Sequence, residues 1–343
     1  MSRSQLTSTV EQNTGGAVSP YVAGKNKIIN GDFGVWQRGT SFSNPAANAY
    51  NADRFVLYFD GTGATRTISQ QTFTPGTAPV PGYEGQYFFR YAQTVAGTSN
   101  TVNLLYQKIE NVQTFAGQSV VLSFWAKADS ARSITCTANQ NFGSGGSADV
   151  DTNFTGTASV TTSWQRFSFT VAVPSISGKT IGTSSFLGIR LFLPAGTTPT
   201  IDIWGVQVEA GSVATPFTTA TGTLSGELAA CQRYYYRSSS TASNPYALFT
   251  QAFGANSSTQ VYTSTRLPVS MRIPPTAADY ANLQVADGSN LYAVTSIVLD
   301  ANTSTQDIAA VGYNVSSGLT QYRPYAARGN NSSSAYLGFS AEL

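Results

Sequence analysis

The side chains of this chain that could do chemistry are carboxylates, tyrosines, arginines and two cysteines, because histidine is absent. That absence removes Ser-His-Asp and Cys-His nucleophile systems, His-ligated zinc and imidazole acid–base work. What remains for hydrolysis is a pair of carboxylates, set about 5–5.5 or 6.5–9.5 Å apart in the two geometries such chemistry uses. Of the 17 Asp and Glu, Asp60, Asp129, Asp149, Asp151, Asp287 and Asp300 stand in turn or strand-edge contexts. There an acid serves local hydrogen bonds. Asp53, followed by Arg54, and Glu209, in a run with Trp204, are better placed for buried or paired roles. Both read as salt-bridged or hydrogen-bonded acids, so no catalytic residue is assigned and the chain is not read as an enzyme. Cys136 and Cys231 are distant and in unlike contexts. They fit buried structural thiols in a reducing compartment better than a disulfide framework.

Contact chemistry is concentrated in Gln321-Tyr-Arg-Pro-Tyr-Ala-Ala-Arg328. Tyr322, Arg323, Tyr325 and Arg328 stand in a stretch that reads as a loop, a composition enriched at contact surfaces. Trp36, Trp125, Trp164 and Trp204 lie in apolar strand contexts and read as core residues. The sequons at Asn153, Asn256, Asn302, Asn314 and Asn331 reflect an Asn/Ser/Thr-rich composition rather than glycosylation.

The elements that position these residues are strands. Only 10% of residues are charged, with apolar content at 41% and aromatics at 12%. Ser, Thr, Asn, Gln and Gly fill the places usually held by charge, which suits sheets and turns. A net charge of +2, with Lys and Arg scattered, offers no basic stripe for nucleic acid. No apolar run reaches the ~18 residues of a membrane span, and Met1-Ser-Arg-Ser-Gln-Leu-Thr lacks the apolar region of a signal peptide. Folding in a cytoplasm is the expectation.

Residues 1–26 are polar, Gly/Ser-rich and without periodicity; a loose tail and a segment that orders on a partner are equally open readings. The first structured block opens at Lys27, with Asn30-Gly31 as a turn and a strand expected over Phe33–Trp36. Strand-like runs come next at Ala52–Phe59, Gln86–Tyr91, Val102–Ile109, Val120–Lys127, Arg132–Asn139, Trp164–Val173, Leu187–Leu193 and Ile201–Glu209. In Trp164–Val173, Phe167, Phe169, Val171 and Val173 share one face, and Arg166, Ser168 and Thr170 the other. One packed and one wet face is the antiparallel pattern, so 27–217 reads as a two-sheet sandwich. At 218–237 the texture changes. Ser225 is expected to cap a short helix with Glu227 in its first turn and Leu228, Cys231 and Tyr235 along one face, a structural joint. Residues 238–343 read as a smaller β domain, with strands expected at Tyr246–Phe253, Thr259–Arg266, Val285–Ala286, Leu291–Leu299, Asp307–Tyr313 and Tyr336–Leu343. The three prolines of Leu267–Thr276 belong at an edge or crossover.

An ordered set of motifs then becomes specific: Asn30-Gly-Asp-Phe33 with Trp36, Ala52-Asp-Arg-Phe55, Leu122-Ser-Phe-Trp-Ala-Lys-Ala128, Thr162-Ser-Trp-Gln-Arg-Phe167 and Ile203-Trp-Gly-Val-Gln-Val-Glu-Ala-Gly211. This order resembles the galactose-binding-like jelly roll of carbohydrate-binding modules, in the version carried by tailed-phage tail and fibre proteins. The segment Glu227-Leu-Ala-Ala-Cys-Gln-Arg-Tyr-Tyr235 is similar to the stretch directly after that module in such proteins. The resemblance covers roughly residues 27–237. It implies an all-β, antiparallel jelly-roll sandwich followed by the second β domain. It implies a virion structural protein, assembled in the host cytoplasm: a short tail fibre or receptor-binding appendage that attaches to a host-surface glycan. Residues 1–26 would then bind other virion proteins, 238–343 would face the receptor through Tyr322, Arg323, Tyr325 and Arg328, and the chain would form a homotrimer. No nucleic acid or membrane insertion is implied. No cofactor is required, though jelly rolls of this kind often hold a structural calcium, for which Asp32 and Glu209 lie in the corresponding pieces. Two alternatives stay open: a capsid-decorating or head-fibre protein that binds other virion proteins, and a glycan-cleaving appendage.

Overall fold

The computed structural model describes residues 24–80, 83–251 and 253–343. Most of the expected attachment segment, residues 1–23, lies outside the described residues. In chain order the first strands are β1 Ser41–Ser43, β2 Ala49–Tyr50, β3 Phe55–Phe59, β4 Thr65–Thr72, β5 Tyr87–Val95, β6 Asn103–Glu110 and β7 Ser119–Ala128. Then come β8 Arg132–Asn141, β9 Val150–Asn153, β10 Ala158–Val160, β11 Gln165–Ala172, β12 Phe186–Leu193 and β13 Thr200–Ala210. A helix, α1, spans Leu224–Gln232. The remaining strands are β14 Tyr235–Ser239, β15 Phe253–Gly254, β16 Gln260–Arg266, β17 Ala277–Ala281, β18 Leu283–Ala286, β19 Leu291–Ala293, β20 Ser296–Leu299, β21 Ile308–Asn314, β22 Pro324–Gly329 and β23 Tyr336–Ser340. The protein is all-β, and the chain divides into two compact units, one running to Leu228 and joined by Leu343, the other spanning Ala229–Glu342. The division falls inside α1, within the joint expected at 218–237.

The first unit is an antiparallel jelly-roll sandwich. One sheet runs β1-β4-β5-β13-β7-β11, the other β10-β8-β12-β6-β3-β2 with β9 beside β8. Between them lies one core that includes Phe33, Phe55, Phe89, Leu122, Phe124, Leu191, Ile203 and Val208. The alternation read in β11 is realised: Phe167 and Phe169 pack on that core and Val171 is buried within it. The β11 pairing with β7 sets Phe167 opposite Phe124 and Arg166 opposite Trp125.

The motifs acquire reasons. No strand forms at Phe33–Trp36. The Asn30 amide closes a turn instead, accepting the Val35 N–H and donating to the Val35 and Asp53 carbonyls. Asn30 and Phe33 sit at φ 61° and 56°, in the left-handed region. Gly31 is needed because a Cβ there would lie 2.1 Å from the Val206 oxygen. Facing it, β13 is bulged between Trp204 and Gln207, with Gly205 at φ +64°. The bulge lets Trp204 point outward while Ile203 and Val206 both reach the core. Similarly, the run expected from Ala52 starts its strand only at Phe55, behind a turn with Arg54 at φ 70°.

Residues 24–28 are clasped to the end of the sandwich. The Gly24 N–H donates to the Ala220 carbonyl at 2.7 Å and the Lys27 N–H to that of Val208 at 3.0 Å. The Asn26 side chain, 1% exposed, donates to the Val206 and Thr218 carbonyls and accepts from the Ile28 and Val208 N–H groups. Lys25 and Asn26 are therefore parts of the sandwich.

The helix cap is Thr223, not Ser225: its hydroxyl accepts the Gly226 N–H at 3.0 Å. Glu227 is 1% exposed and accepts from the Asn30 N–H, the Thr221 N–H and the Thr221 hydroxyl. Tyr235 belongs to β14 rather than to a helical face, and Leu228 is 38% exposed. The second unit holds three small sheets, β14-β23-β17, β15-β22-β18-β19 and β16-β21-β20, around a core with Met271, Val285, Val311, Tyr313 and Phe339. Of the strand expected at Tyr246–Phe253, Phe253 alone among the described residues is in a strand, as the first residue of β15, and Leu291–Leu299 splits into β19 and β20.

Candidate functional site

The two sheets treat their outward sides differently. Outside the first sheet, Phe73, Phe88, Trp125, Trp204 and Phe217 form a buried aromatic cluster, with Tyr83 and Trp164 packed against it. Trp204 is fully buried there, its ring 4.9 Å from Phe217 and 5.3 Å from Trp125. Asp202 takes both ends of the Arg90 guanidinium, at 2.7 and 2.8 Å, with the Lys127 ammonium 3.6 Å away. This side is closed. Three of the tryptophans read as core thus belong to a second apolar layer, while Trp36 packs between the sheets.

Outside the second sheet the rings stay partly open, although Val56, Leu104, Thr137 and Asn139 are buried there. The register lays Val56, Tyr106, Arg190, Thr137 and Asn153 across β3, β6, β12, β8 and β9 in one row. The next rows hold Tyr58, Leu104, Phe192 and Thr135 on one side and Lys108, Gly188, Asn139 and Asp151 on the other. Since alternate strand residues point to opposite faces, all of these look away from the core. Tyr58 is 36% exposed, and Tyr106, Phe186 and Phe192 are half-buried.

The polar groups of this face are fixed by one another. Arg190 Nη1 lies 3.0 Å from both Asp151 carboxylate oxygens. The Asn139 amide donates to Asp151 at 2.6 Å, Asn141 donates to Asp149 at 3.0 Å, and the Thr137 hydroxyl donates to Asn153 at 3.0 Å. The Lys108 ammonium stands 5.2 Å from the Phe186 ring centre and 5.9 Å from that of Tyr106. Burial raises the pKa of Tyr106, with Tyr58 acting in the same direction and Arg190 opposing. Its phenol therefore keeps its proton at neutral pH and remains a donor. Gly188 leaves a low point, where a Cβ would have lain 3.4 Å from the Phe186 ring and 3.5 Å from Asn139. Half-exposed rings beside pre-oriented donors and acceptors are what a hydroxyl-rich, C–H-faced ligand requires.

The residues singled out from sequence fall elsewhere. Asp32 lines a cleft of about 270 Å³ with Tyr83, Phe217, Thr219 and Glu227. Burial raises its pKa, against the Gly34 N–H and the Tyr83 hydroxyl, which donates to it at 3.3 Å. Glu227 is also raised by burial, with the Asp32 charge adding to the effect. Glu209 sits in a different network. Its two oxygens accept from the Thr215 N–H and hydroxyl, from Gln207 and from the Lys25 ammonium at 2.9 Å. Burial acts to raise its pKa, but Thr215 and Lys25 outweigh it and hold the carboxyl below its usual value. A carboxylate already saturated by an ammonium does not fit a calcium shared with Asp32. Among the described residues no group of three or more acids or cysteines is placed to hold a metal.

In the second unit, Tyr322 is 81% exposed at φ 66°, and Arg323 pairs with Asp287 at 2.8 Å. Residues 324–329 are strand β22 rather than a loop, so Tyr325 and Arg328 face opposite ways. Tyr325 is 1% exposed and its hydroxyl accepts the Thr320 N–H, which removes it from any contact surface. Arg328 lies over the Tyr246 ring at 5.2 Å. Both cysteines are buried, and burial pushes the Cys136 thiol up. Sequence reading passed over Tyr106, Phe186 and Arg190, and set Asp151 among the turn and strand-edge acids. Their signal was present as the outward-pointing residues of two otherwise apolar strands.

No protein-family model matches the chain, and no curated protein matches it. Among solved structures, the chain is similar to the enzymatically active domain of tailspike protein 4 of bacteriophage CBA120, at 16% identity over 57% of this chain and 22% of that one, with a TM-score of 0.34. It is also similar to a CBM4 module, at 22% identity over 53% of this chain and 98% of that one, TM-score 0.32. A third is a family 11 carbohydrate-binding module from Clostridium thermocellum in complex with a mixed-linked tetrasaccharide, at 13% identity over 51% of this chain and 97% of that one, TM-score 0.31. The matched part thus spans less than a quarter of the tailspike chain. The sandwich assignment rests on the sheets themselves. No helix among the described residues is long and apolar enough to cross a membrane.

Proposed function

We propose that the protein is a non-enzymatic, glycan-attaching structural component of a tailed-phage virion, a short tail fibre or similar receptor-binding appendage that works as a homotrimer. The observation that carries the glycan reading is the open outer face of the second sheet. Tyr58, Tyr106, Phe186 and Phe192 offer ring surface there beside Arg190 and Asp151, which are oriented by each other and by the buried Asn139 amide. The virion assignment is supported by the ordered motifs from Asn30 to Gly211, several of which prove to be the packing devices of one turn and one bulge.

The test is binding of the full chain to an immobilised glycan array, with Arg190→Ala alongside. Binding to at least one glycan, weakened about tenfold or more in the variant, is expected, since hydrogen bonds to charged groups are worth about 1.5–3 kcal/mol. No binding to any glycan, or binding indifferent to Arg190, would overturn the reading. Immunogold labelling of particles should place the chain on the tail; label on the capsid shell would favour a decorating protein instead. Mass photometry returning a stable monomer would remove the trimer.

A further inference from the structure

The second unit contains a cleft of its own. It has a volume of about 430 Å³, within the ~300–1,000 Å³ of small-ligand sites. Two strands at sheet ends border it: β14, at one end of β14-β23-β17, and β16, at one end of β16-β21-β20. Tyr236 comes from the first and Thr265 and Arg266 from the second. The connecting chain adds Phe249, Thr250 and Phe253.

Three features decide what would fit. The apolar part is aromatic, with Phe253 44% exposed, Phe249 buried and Tyr236 half-buried. The accessible polar part is hydroxyl and amide: Ser264 and Gln251 are exposed, and Ser238 is half-buried. The one charged lining residue is Arg266, exposed and engaged in no ion pair among the described residues. A guanidinium with a free fork takes a carboxylate in two parallel hydrogen bonds.

We propose that this cleft is a binding site for an acidic sugar, a pyranose bearing a carboxylate. Its C–H face lies on Phe253 and Tyr236, its hydroxyls meet Ser264 and Gln251, and its carboxylate meets Arg266. The site is separate from the sandwich face and does not depend on it. It also moves receptor contact in this unit away from the 321–328 stretch, where Tyr325 is core and Arg323 is already paired.

Glucuronic acid and glucose are the probes, with saturation-transfer NMR and calorimetry on the full chain. Glucuronic acid should bind, glucose about tenfold more weakly or worse, as expected for losing a charged hydrogen-bond pair. Arg266→Gln should reduce glucuronic acid binding about tenfold. Phe253→Ala should weaken both sugars together. Both positions are exposed, so thermal melting should be unchanged and will show that the variants fold. Absence of glucuronic acid binding by the unmodified chain would overturn the proposal, as would binding indifferent to both substitutions.

Discussion

The two outer faces of the sandwich are built from the same alternation and end in opposite states. The outside of the first sheet carries rings that pack on each other, with a bidentate Arg90–Asp202 pair and a Lys25–Glu209 pair beside them. The outside of the second carries rings that stay half-exposed, with polar groups bound to one another across neighbouring strands. An outward aromatic therefore has two fates. Where neighbouring segments bring further rings, as Phe73 and Phe217 do, it becomes a second core; where they do not, it remains a surface able to meet a ligand.

Trp204→Ala should break the comparison most severely, because it empties the centre of the closed face. A loss of about 3–5 kcal/mol is expected in urea unfolding of the sandwich. A loss below about 1 kcal/mol would mean that the cluster is a surface ornament rather than a core. Gly205→Val comes next. Its Cβ would lie 2.7 Å from the Trp125 ring at a φ of +64°, so about 1–3 kcal/mol should be lost, read by the same denaturation.

Acidification sharpens the contrast between two carboxylates. The Glu209 carboxyl is held below its usual value, so its contribution is present above the unfolded pKa and is lost as pH falls through the folded one. Glu209→Gln should cost about 1–3 kcal/mol at pH 7, and the gap to the unmodified protein should close on acidification. Asp32 runs the other way. Its pKa is raised, so its charge costs stability at neutral pH and the cost is relieved as pH falls through the folded value. Asp32→Asn should leave stability at pH 7 equal or higher, and a marked drop would show that the carboxylate has a partner it needs.

The smallest stability effects belong to the open face. Tyr58→Ala and Arg190→Ala should change unfolding by less than about 1 kcal/mol, since exposed pairs and rings contribute little. Their effect should appear in glycan binding instead. A large destabilisation would make this face a structural layer like its counterpart.

Most of the longer sandwich strands were legible as runs bounded by turn residues, with alternation clear in places such as β11, whereas β1, β2, β4, β9 and β10 were not read. Asn30–Trp36 was not legible, since Phe33 and Val35 mimic alternation while the Asn30 amide, bonded to Val35 and Asp53, dictates a turn. The cap falls at Thr223, two residues before the expected Ser225; both carry a hydroxyl, and composition does not encode which one meets a helix N–H. Glu227 read as a helix-end charge, yet its partner is Asn30, 197 positions earlier. The candidate face was missed for the same reason. Tyr106, Arg190 and Asp151 become neighbours only through the β6-β12-β8-β9 register.

The clasp at residues 24–28 has a mechanical meaning. Gly24 and Ala220 are hydrogen-bonded to each other, so the sandwich hangs from the chain by two adjacent points. Tension transmitted along the polypeptide would reach the Asn26 and Lys25 contacts first and pass by the sheets. In an optical trap, attachment at residues 24 and 220 should open the clasp bond by bond at low force, whereas attachment across the two sheet ends would have to shear whole ladders at once.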